Sequence, residues 1–341
     1  MFDNFFGNTG VTGTLEQMIE RGRIPQTLIL DGPQGVGKAT LARRFAARLI
    51  GGAQRIENDD LSLAHNRETL AEREKLAADQ RASDPFLLAS HPDFLTFCPD
   101  GPLRQISIQQ MRLLKERALY VPLEGKWRVF LVDSIDRANE QAANSLLKTL
   151  EEPPVYLILI LTAENPYDLL PTIRSRAVPL RMGRLSGDEM EAFIKVRQLD
   201  QPERRTALAA GCPGIASSLE LEAYDRRREA MLALIETASG VAKFTRWAQQ
   251  SEKIAVARSE KLEPYLRVLL MLLEDLLHVR EGTGCVRNPD VSTALEAVAR
   301  RVSFEWLRDA VTRSHELLGA VRRNVNKNLA LDSLVVDLTG R

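Results

Sequence analysis

The segment Gly32-Pro33-Gln34-Gly35-Val36-Gly37-Lys38 constrains the fold of this chain more than any other feature. It follows an apolar run at residues 27–30 and precedes a stretch in which apolar residues recur at helical spacing. A glycine-rich turn between a strand and a helix can direct backbone N–H groups at phosphate, and its final lysine can reach the terminal phosphates. We therefore predict a phosphate-binding loop (P-loop) whose nucleotide-binding residues are Gly32, Gly35, Gly37 and Lys38.

The residues around this loop only partly suit hydrolysis. A working P-loop follows the lysine with Ser or Thr, whose hydroxyl binds Mg²⁺, but this chain has Ala39. Thr40 comes next, and one helical step turns its side chain by about 100° away from that place. Asp133 ends the apolar run at residues 128–132 and suits the acidic residue that helps to hold Mg²⁺. We add Asp133 to a degenerate nucleotide site that holds ATP or ADP without cleaving it or persists only as a relic.

The first half of the chain alternates strand-like and helix-like segments. Ser107 with Gln110 forms the pattern of a capping box, and Asn139 is a suitable cap for a helix that runs to Leu150. Such alternation predicts a parallel sheet covered by helices on both faces. The apolar runs that we interpret as its strands lie at residues 27–30, 93–97, 128–132 and 156–161.

Other segments are predicted to be helical throughout. Residues 56–83 are rich in Ala, Glu, Arg and Asp at helical spacing, which predicts an exposed helical insertion. Strand signals stop after about Met182, and long amphipathic helices follow from Tyr224, with breaks near Gly240 and at residues 282–289.

Composition limits the function classes. The 341 residues carry 46 Lys plus Arg and 46 Asp plus Glu, so DNA could be bound only through a local basic patch, and we expect protein partners. The longest apolar stretch, residues 266–279, is interrupted by two acidic residues, so we expect no membrane span. The three cysteines, Cys98, Cys212 and Cys285, are scattered and odd in number. That pattern predicts a cytoplasmic protein without disulfides.

Two further motifs resemble a known family. The segment Asn-Ser-Leu-Leu-Lys-Thr-Leu-Glu-Glu-Pro-Pro at residues 144–154 and the segment Leu-Leu-Pro-Thr-Ile-Arg-Ser-Arg at residues 169–176 are similar to those of bacterial clamp-loader subunits. They follow the P-loop in the family's order and at its spacing. The resemblance is to the delta-prime type of subunit in the DNA polymerase III holoenzyme, on an AAA+ fold. It covers about residues 5–214 and, more loosely, the helical C-terminal third.

The resemblance implies three domains and a place in a ring. These are an AAA+ core over residues 1–182 with the insertion at 56–83, a small helical lid over 183–222, and a helical collar for oligomerisation over 223–341. It also implies gamma/tau-type and delta-type partner subunits, with contact to the sliding clamp and primed DNA through the complex. Arg176 matches the arginine of the family's Ser-Arg-Cys motif, which reaches ATP on the neighbouring motor subunit; Ala177 replaces the cysteine.

Several positions depart from working relatives. Ser134 stands where hydrolysing AAA+ proteins place a water-polarising Glu, and residues 211–215 lack the second sensor arginine of motor subunits. Thr162 and Asn165 lie where a sensor of the γ-phosphate would stand, although Asn-Pro also opens turns. Many relatives carry a four-cysteine zinc module after the P-loop helix, but residues 56–83 contain no cysteine. We therefore expect no zinc, and we interpret His65 and His91 as solvated side chains, not metal ligands.

Three functions remain open at this point. The first is a clamp-loader subunit with little or no ATP hydrolysis of its own, which supplies Arg176 in trans. The second is an active ATPase of the gamma/tau type, against which Ala39 and Ser134 argue. The third is an unrelated P-loop kinase or nucleotide switch, which would leave residues 144–154 and 169–176 unexplained. The chain shows no polymerase active site, so a polymerase activity would belong to the holoenzyme and not to this subunit.

Overall fold

A computed structural model describes residues 2, 4–256, 260–284, 286–320 and 326–339, and Cys285 lies outside this description. The chain forms two compact units, of which the first comprises Met1–Pro202 with Ala209–Ser218 and the second Glu203–Leu208 with Leu219–Arg341. This division does not test the three-domain boundaries, which remain a prediction. In the described part of the chain, no helix is long and apolar enough to cross a membrane.

The first unit alternates helices and strands as the sequence predicts. Its strands are β1 (Thr27–Asp31), β2 (Leu88–His91), β3 (Phe94–Phe97), β4 (Arg128–Val132), β5 (Leu157–Ala163) and β6 (Val178–Arg181). Its helices are α1 (Thr9–Glu20), α2 (Lys38–Ile50), α3 (Ala53–Glu57), α4 (Ala64–Lys75), α5 (Ala78–Ser83), α6 (Ile108–Ala118), α7 (Glu140–Glu151), α8 (Pro171–Arg174), α9 (Gly187–Arg197) and α11 (Pro213–Ser218), while α10 (Pro202–Ala209) bridges the two units in sequence.

The strands form one sheet in the order β2-β3-β4-β5-β1-β6. All neighbours pair in parallel except β2 and β3, which are antiparallel. β2 was not predicted from the sequence, and it adds one antiparallel strand at the edge of the otherwise parallel sheet. Only Pro92 and Asp93 separate β2 from β3, and so short a connection permits only antiparallel pairing.

Alternate residues of the central strands face opposite sides of the sheet, as the pleat requires. One face contributes Ile29, Phe130 and Leu159 to a core covered by α6 and α7. The other contributes neighbours of these residues, such as Leu28 and Ile158, to a core covered by α1 and α2. Helices on both faces explain why these strands are continuous apolar runs. The predicted α/β core is confirmed.

The second unit is helical, with α12 (Leu221–Ala238), α13 (Phe244–Val256), α14 (Leu262–Glu281), α15 (Ser292–Ala299), α16 (Phe304–Ala320) and α17 (Lys327–Thr339). Leu266, Leu269 and Leu273 of α14 are buried in the unit's own core. These three residues therefore pack inside the unit, whereas Leu270 of the same apolar stripe is only partly buried.

The insertion at residues 56–83 is helical, as predicted, but one side of it is buried and not exposed. Its inner side buries Asn66, Leu70 and Arg73. Arg73 is buried because its Nε donates to Asp100 at 2.8 Å, and one Nη2 N–H reaches the carbonyl of Asp84 at 2.7 Å. Asn66 Nδ2 donates to two backbone carbonyls, at 2.7 and 2.8 Å. Buried polar groups with such partners hold the insertion against the core.

The interpretation of His91 as a solvated side chain is wrong, whereas His65 is exposed. His91 is fully buried at the end of β2, beneath Gly52, where an added Cβ would lie 2.5 Å from the imidazole. Its Nδ1 accepts a hydrogen bond from the backbone N–H of Asp93 at 3.1 Å. That ring nitrogen is therefore unprotonated, and burial lowers the pKa of His91 below its ordinary value, with Arg55 adding to the effect.

We expect His91 to make folding stability depend on pH. A base whose pKa is lowered by folding contributes stability above its unfolded pKa, about 6.5, and this contribution is lost as the pH falls toward the folded pKa. Replacement by Asn keeps an acceptor for the N–H two residues on but removes the titration. His91→Asn should therefore lose less unfolding free energy than wild type between pH values of about 7.5 and 5.5 in denaturant titrations.

The exposed His65 provides the control for this experiment, because His65→Asn should leave the pH dependence of the wild type unchanged. If the unfolding free energies of His91→Asn and wild type changed equally with pH, His91 would not titrate on unfolding.

Candidate nucleotide site and surface arginine

The P-loop joins β1 to α2, as predicted, and its glycines are required by close packing. At Gly32 the backbone φ is +149°, and an added Cβ would lie 2.2 Å from the carbonyl oxygen of Met182. At Gly35 φ is +80°, and an added Cβ would lie 2.8 Å from Ile215 Cγ1. Any other residue at these positions would be strained and would collide with its neighbour. Gly37, with φ +100°, directly precedes the first helical residue of α2, Lys38.

Lys38 is turned toward its own loop. Its Nζ donates to the carbonyl oxygens of Gly32 at 2.6 Å and Pro33 at 2.9 Å. Burial lowers the pKa of Lys38 below its ordinary value, although the carboxylates of Glu164 and Asp133 oppose this shift. The lysine thus satisfies backbone acceptors of the loop and would have to exchange them for phosphate oxygens if a nucleotide bound.

Asp133 lies at the end of β4, and its carboxylate is engaged by the adjacent strand. Thr162 Oγ1 donates to Asp133 Oδ1 at 2.5 Å and accepts from the backbone N–H of Ser134 at 2.7 Å. The Thr162 hydroxyl therefore binds the Asp133 carboxylate and links β5 to the end of β4. Glu164, just after β5, was not selected from the sequence. Its place at the carboxyl end of a strand beside β1 is the signal that could have identified it.

Asn165 caps the turn that follows β5. Its Oδ1 accepts from the backbone N–H of Tyr167 at 3.1 Å, and its Nδ2 donates to Asp168 at 3.2 Å. Of the two interpretations offered by the sequence, these contacts match the turn, and they engage the side chain that a phosphate sensor would need.

The segment at residues 211–215 packs directly on the P-loop. The backbone N–H of Gly214 donates to the carbonyl oxygen of Gly35 at 2.7 Å. Cys212 is buried beside the loop, and the ring of Phe5 lies against Gly37 from another side. The segment thus contacts the cradle through backbone and apolar groups and offers no arginine to a phosphate.

Arg176 lies between α8 and β6, and its guanidinium contacts residues of its own unit. Its Nη2 donates to Glu151 Oε1 at 2.8 Å, and its Nη1 donates to the carbonyl of Thr172 at 2.9 Å. About a third of the side chain, 34%, remains exposed. Arg174 points to a different neighbour, since its guanidinium stacks over the Tyr167 ring at 5.0 Å from the centroid. The two arginines therefore lie in distinct environments.

Within the described residues, no group of three or more His, Cys, Asp or Glu side chains is arranged to hold a metal ion. The expected absence of zinc, which also concerns Cys285, remains a prediction.

Similarity to known proteins identifies the family. Residues 7–186, more than half of the chain, match the family described as DNA polymerase III, delta subunit. The chain belongs to the DNA polymerase III delta subunit family. It is similar to the DNA polymerase III subunit delta' of Pseudomonas aeruginosa, with 26% identity over 94% of this chain and 93% of that protein. The Bacillus subtilis subunit delta' is 28% identical over 65% of this chain and 61% of its own length.

A second group of relatives matches the core alone. DNA polymerase III subunit gamma/tau of Mycobacterium tuberculosis is 32% identical over 175 residues, which are 51% of this chain and 27% of that protein. The chain thus spans about a quarter of the length of these relatives. Membership of the delta subunit family removes the interpretation as an unrelated P-loop kinase or switch.

We expect this chain, when isolated from any partner, to release phosphate from ATP no faster than its Lys38→Ala variant does. Ala39 supplies no hydroxyl for Mg²⁺, and Ser134 supplies no carboxylate to polarise water. Steady-state phosphate release with Mg²⁺ and saturating ATP measures this directly. Turnover by wild type that disappears in Lys38→Ala would contradict the expectation.

Proposed function

We propose that this chain is a clamp-loader subunit of DNA polymerase III that hydrolyses little or no ATP and supplies Arg176 to a neighbour. It helps to load the sliding clamp on primed DNA, in the cytoplasm, together with gamma/tau-type motor and delta-type subunits. The observation that carries the proposal is the contrast between two sites on one unit. The loop has Ala39 in place of the Mg²⁺-binding hydroxyl and Ser134 in place of the water-polarising Glu, while Arg176 keeps a guanidinium partly exposed at the surface.

The chemistry of Arg176 suits transfer of phosphate on another chain. Hydrolysis of ATP builds negative charge on the γ-phosphate oxygens, and an arginine delivered from a neighbouring protein stabilises that charge. Guanidinium stays charged and presents a rigid fork of donors to phosphate. The neighbour's site would then be complete only in the assembled ring, which couples hydrolysis to assembly on clamp and DNA.

The chain's own cradle has a structural part in this proposal. No cofactor is required, and any ATP or ADP that binds would have to displace the contacts of Lys38 with the loop carbonyls.

The second candidate is an active ATPase of the gamma/tau type, favoured by the 32% identity to gamma/tau over the core. Ala39, Ser134 and the absence of arginine from residues 211–215 weigh against it.

We propose that the helical second unit joins the chain to its partners. Because Leu266, Leu269 and Leu273 of α14 are buried, the contacts would use other surfaces of the unit. A chain truncated after Glu220 should therefore lose stable association with gamma/tau-type and delta-type subunits in size-exclusion and pull-down experiments. Full affinity of the truncated chain would show that the first unit alone mediates assembly.

We expect Arg176→Ala to leave folding and assembly nearly intact while it lowers DNA-stimulated ATP hydrolysis and clamp loading by the complex. Arginine fingers are worth roughly 10³ to 10⁵ in rate in other nucleotide hydrolases, so hydrolysis at the one neighbouring site should fall to near background. Arg176→Lys should restore little, because a point charge does not reproduce the fork. The measurement is the ATPase rate of the reconstituted complex with each variant.

Arg174 provides the matched control, since it lies two residues earlier and stacks on Tyr167. Arg174→Ala should retain hydrolysis. If Arg174→Ala lost hydrolysis and Arg176→Ala retained it, the role would belong to Arg174 and not to Arg176. If both variants retained hydrolysis, neither arginine would act in trans.

A further inference from the structure

The guanidinium of Arg176 is held by acceptors from two separate elements. Glu151, the last residue of α7, accepts from Nη2 at 2.8 Å. Thr172 of α8 and the hydroxyl of Ser175 accept from Nη1, at 2.9 and 3.3 Å. The contacts within α8 and the turn after it come from residues adjacent to Arg176 in sequence. Glu151, 25 positions away, is the acceptor that fixes the guanidinium relative to the rest of the unit.

These contacts leave part of the donor set for a ligand. A guanidinium has five N–H donors, and the three hydrogen bonds come from Nη1 and Nη2. At least two N–H donors, the Nε–H among them, are therefore left by these bonds, and the side chain is 34% exposed. Two N–H donors are what a bidentate contact with phosphate oxygens requires.

We propose that Glu151 is the positioning residue for Arg176, an inference that rests on the proposed role of Arg176 in trans. The carboxylate holds the guanidinium in one orientation before the neighbouring subunit docks, so that its remaining donors are already in place. A long side chain without that tether would have to lose its rotamer freedom on meeting the phosphate. The carboxyl end of α7 also carries a partial negative charge, which favours a cation at the same place.

A simple surface ion pair would have a different consequence. Exposed pairs contribute little to folding stability, and Glu151 and Arg176 are both substantially exposed. Removal of the carboxylate should therefore scarcely change folding. A misplaced catalytic group, by contrast, can cost much of its effect on rate. The two roles are separated by comparing rate with stability.

The test uses the full reconstituted complex with DNA and clamp. Glu151→Ala should lower the kcat of DNA-stimulated ATP hydrolysis at the neighbouring site by about tenfold, with the KM for ATP, co-purification and thermal midpoint unchanged. Glu151→Gln keeps an acceptor oxygen at the same position and should recover part of the loss. Glu152→Ala is the matched control, because Glu152 is the adjacent exposed glutamate, and it should behave as wild type.

A double variant tests whether Glu151 acts through Arg176. Glu151→Ala added to Arg176→Ala should lower the rate no further, since the group to be positioned is gone. A further loss in the double variant, an unchanged rate in Glu151→Ala, or a faster rate because the carboxylate competes with phosphate would each overturn the proposal. If Arg176→Ala alone left hydrolysis intact, the role in trans would fail first, which distinguishes that failure from one confined to Glu151.

Discussion

The parallel pairing of β1 with β5 on one side and β6 on the other fixes the rest of the first unit. The ladder continues past the strand ends, where Gly32 N–H donates to Ala163 at 3.1 Å and Met182 N–H donates to Asp31 at 2.7 Å. These bonds set the place where the chain leaves the sheet and turns into α2. Because the carboxyl ends of parallel strands meet at one edge, the same pairing brings the loop, Asp133 and Thr162 to one place.

That edge carries the loop predicted to bind phosphate, and internal contacts engage the residues of this predicted site. Lys38 binds loop carbonyls, Thr162 binds Asp133, and the segment at residues 211–215 packs on Gly35. A chain with its motifs engaged in this way can keep the architecture of a nucleotide-binding protein without its reaction.

Local rules predicted the elements that local chemistry determines. Ser107 and Asn139 accept from the N–H groups of Gln110 and Ala142, so both caps are confirmed, and the strand at residues 128–132 has the predicted bounds. Features that depend on distant partners escaped the sequence. His91 is buried beneath Gly52, and Glu151 accepts from Arg176 across 25 positions. In the same way, helical spacing showed that Leu266 lies on an apolar face but could not show whether that face packs inside the unit or on a partner.

As proposed above, the chain contributes to its complex through assembly and Arg176, and not through its own nucleotide site. Clamp loading on primed DNA by a complex that carries Lys38→Met in this chain alone tests this proposal most directly, because the substitution removes the ammonium and keeps most of the side-chain volume. We expect a loading rate indistinguishable from that of the wild-type complex. A loss of loading, with assembly and folding intact, would show that nucleotide bound at Lys38 takes part, and would contradict the proposal.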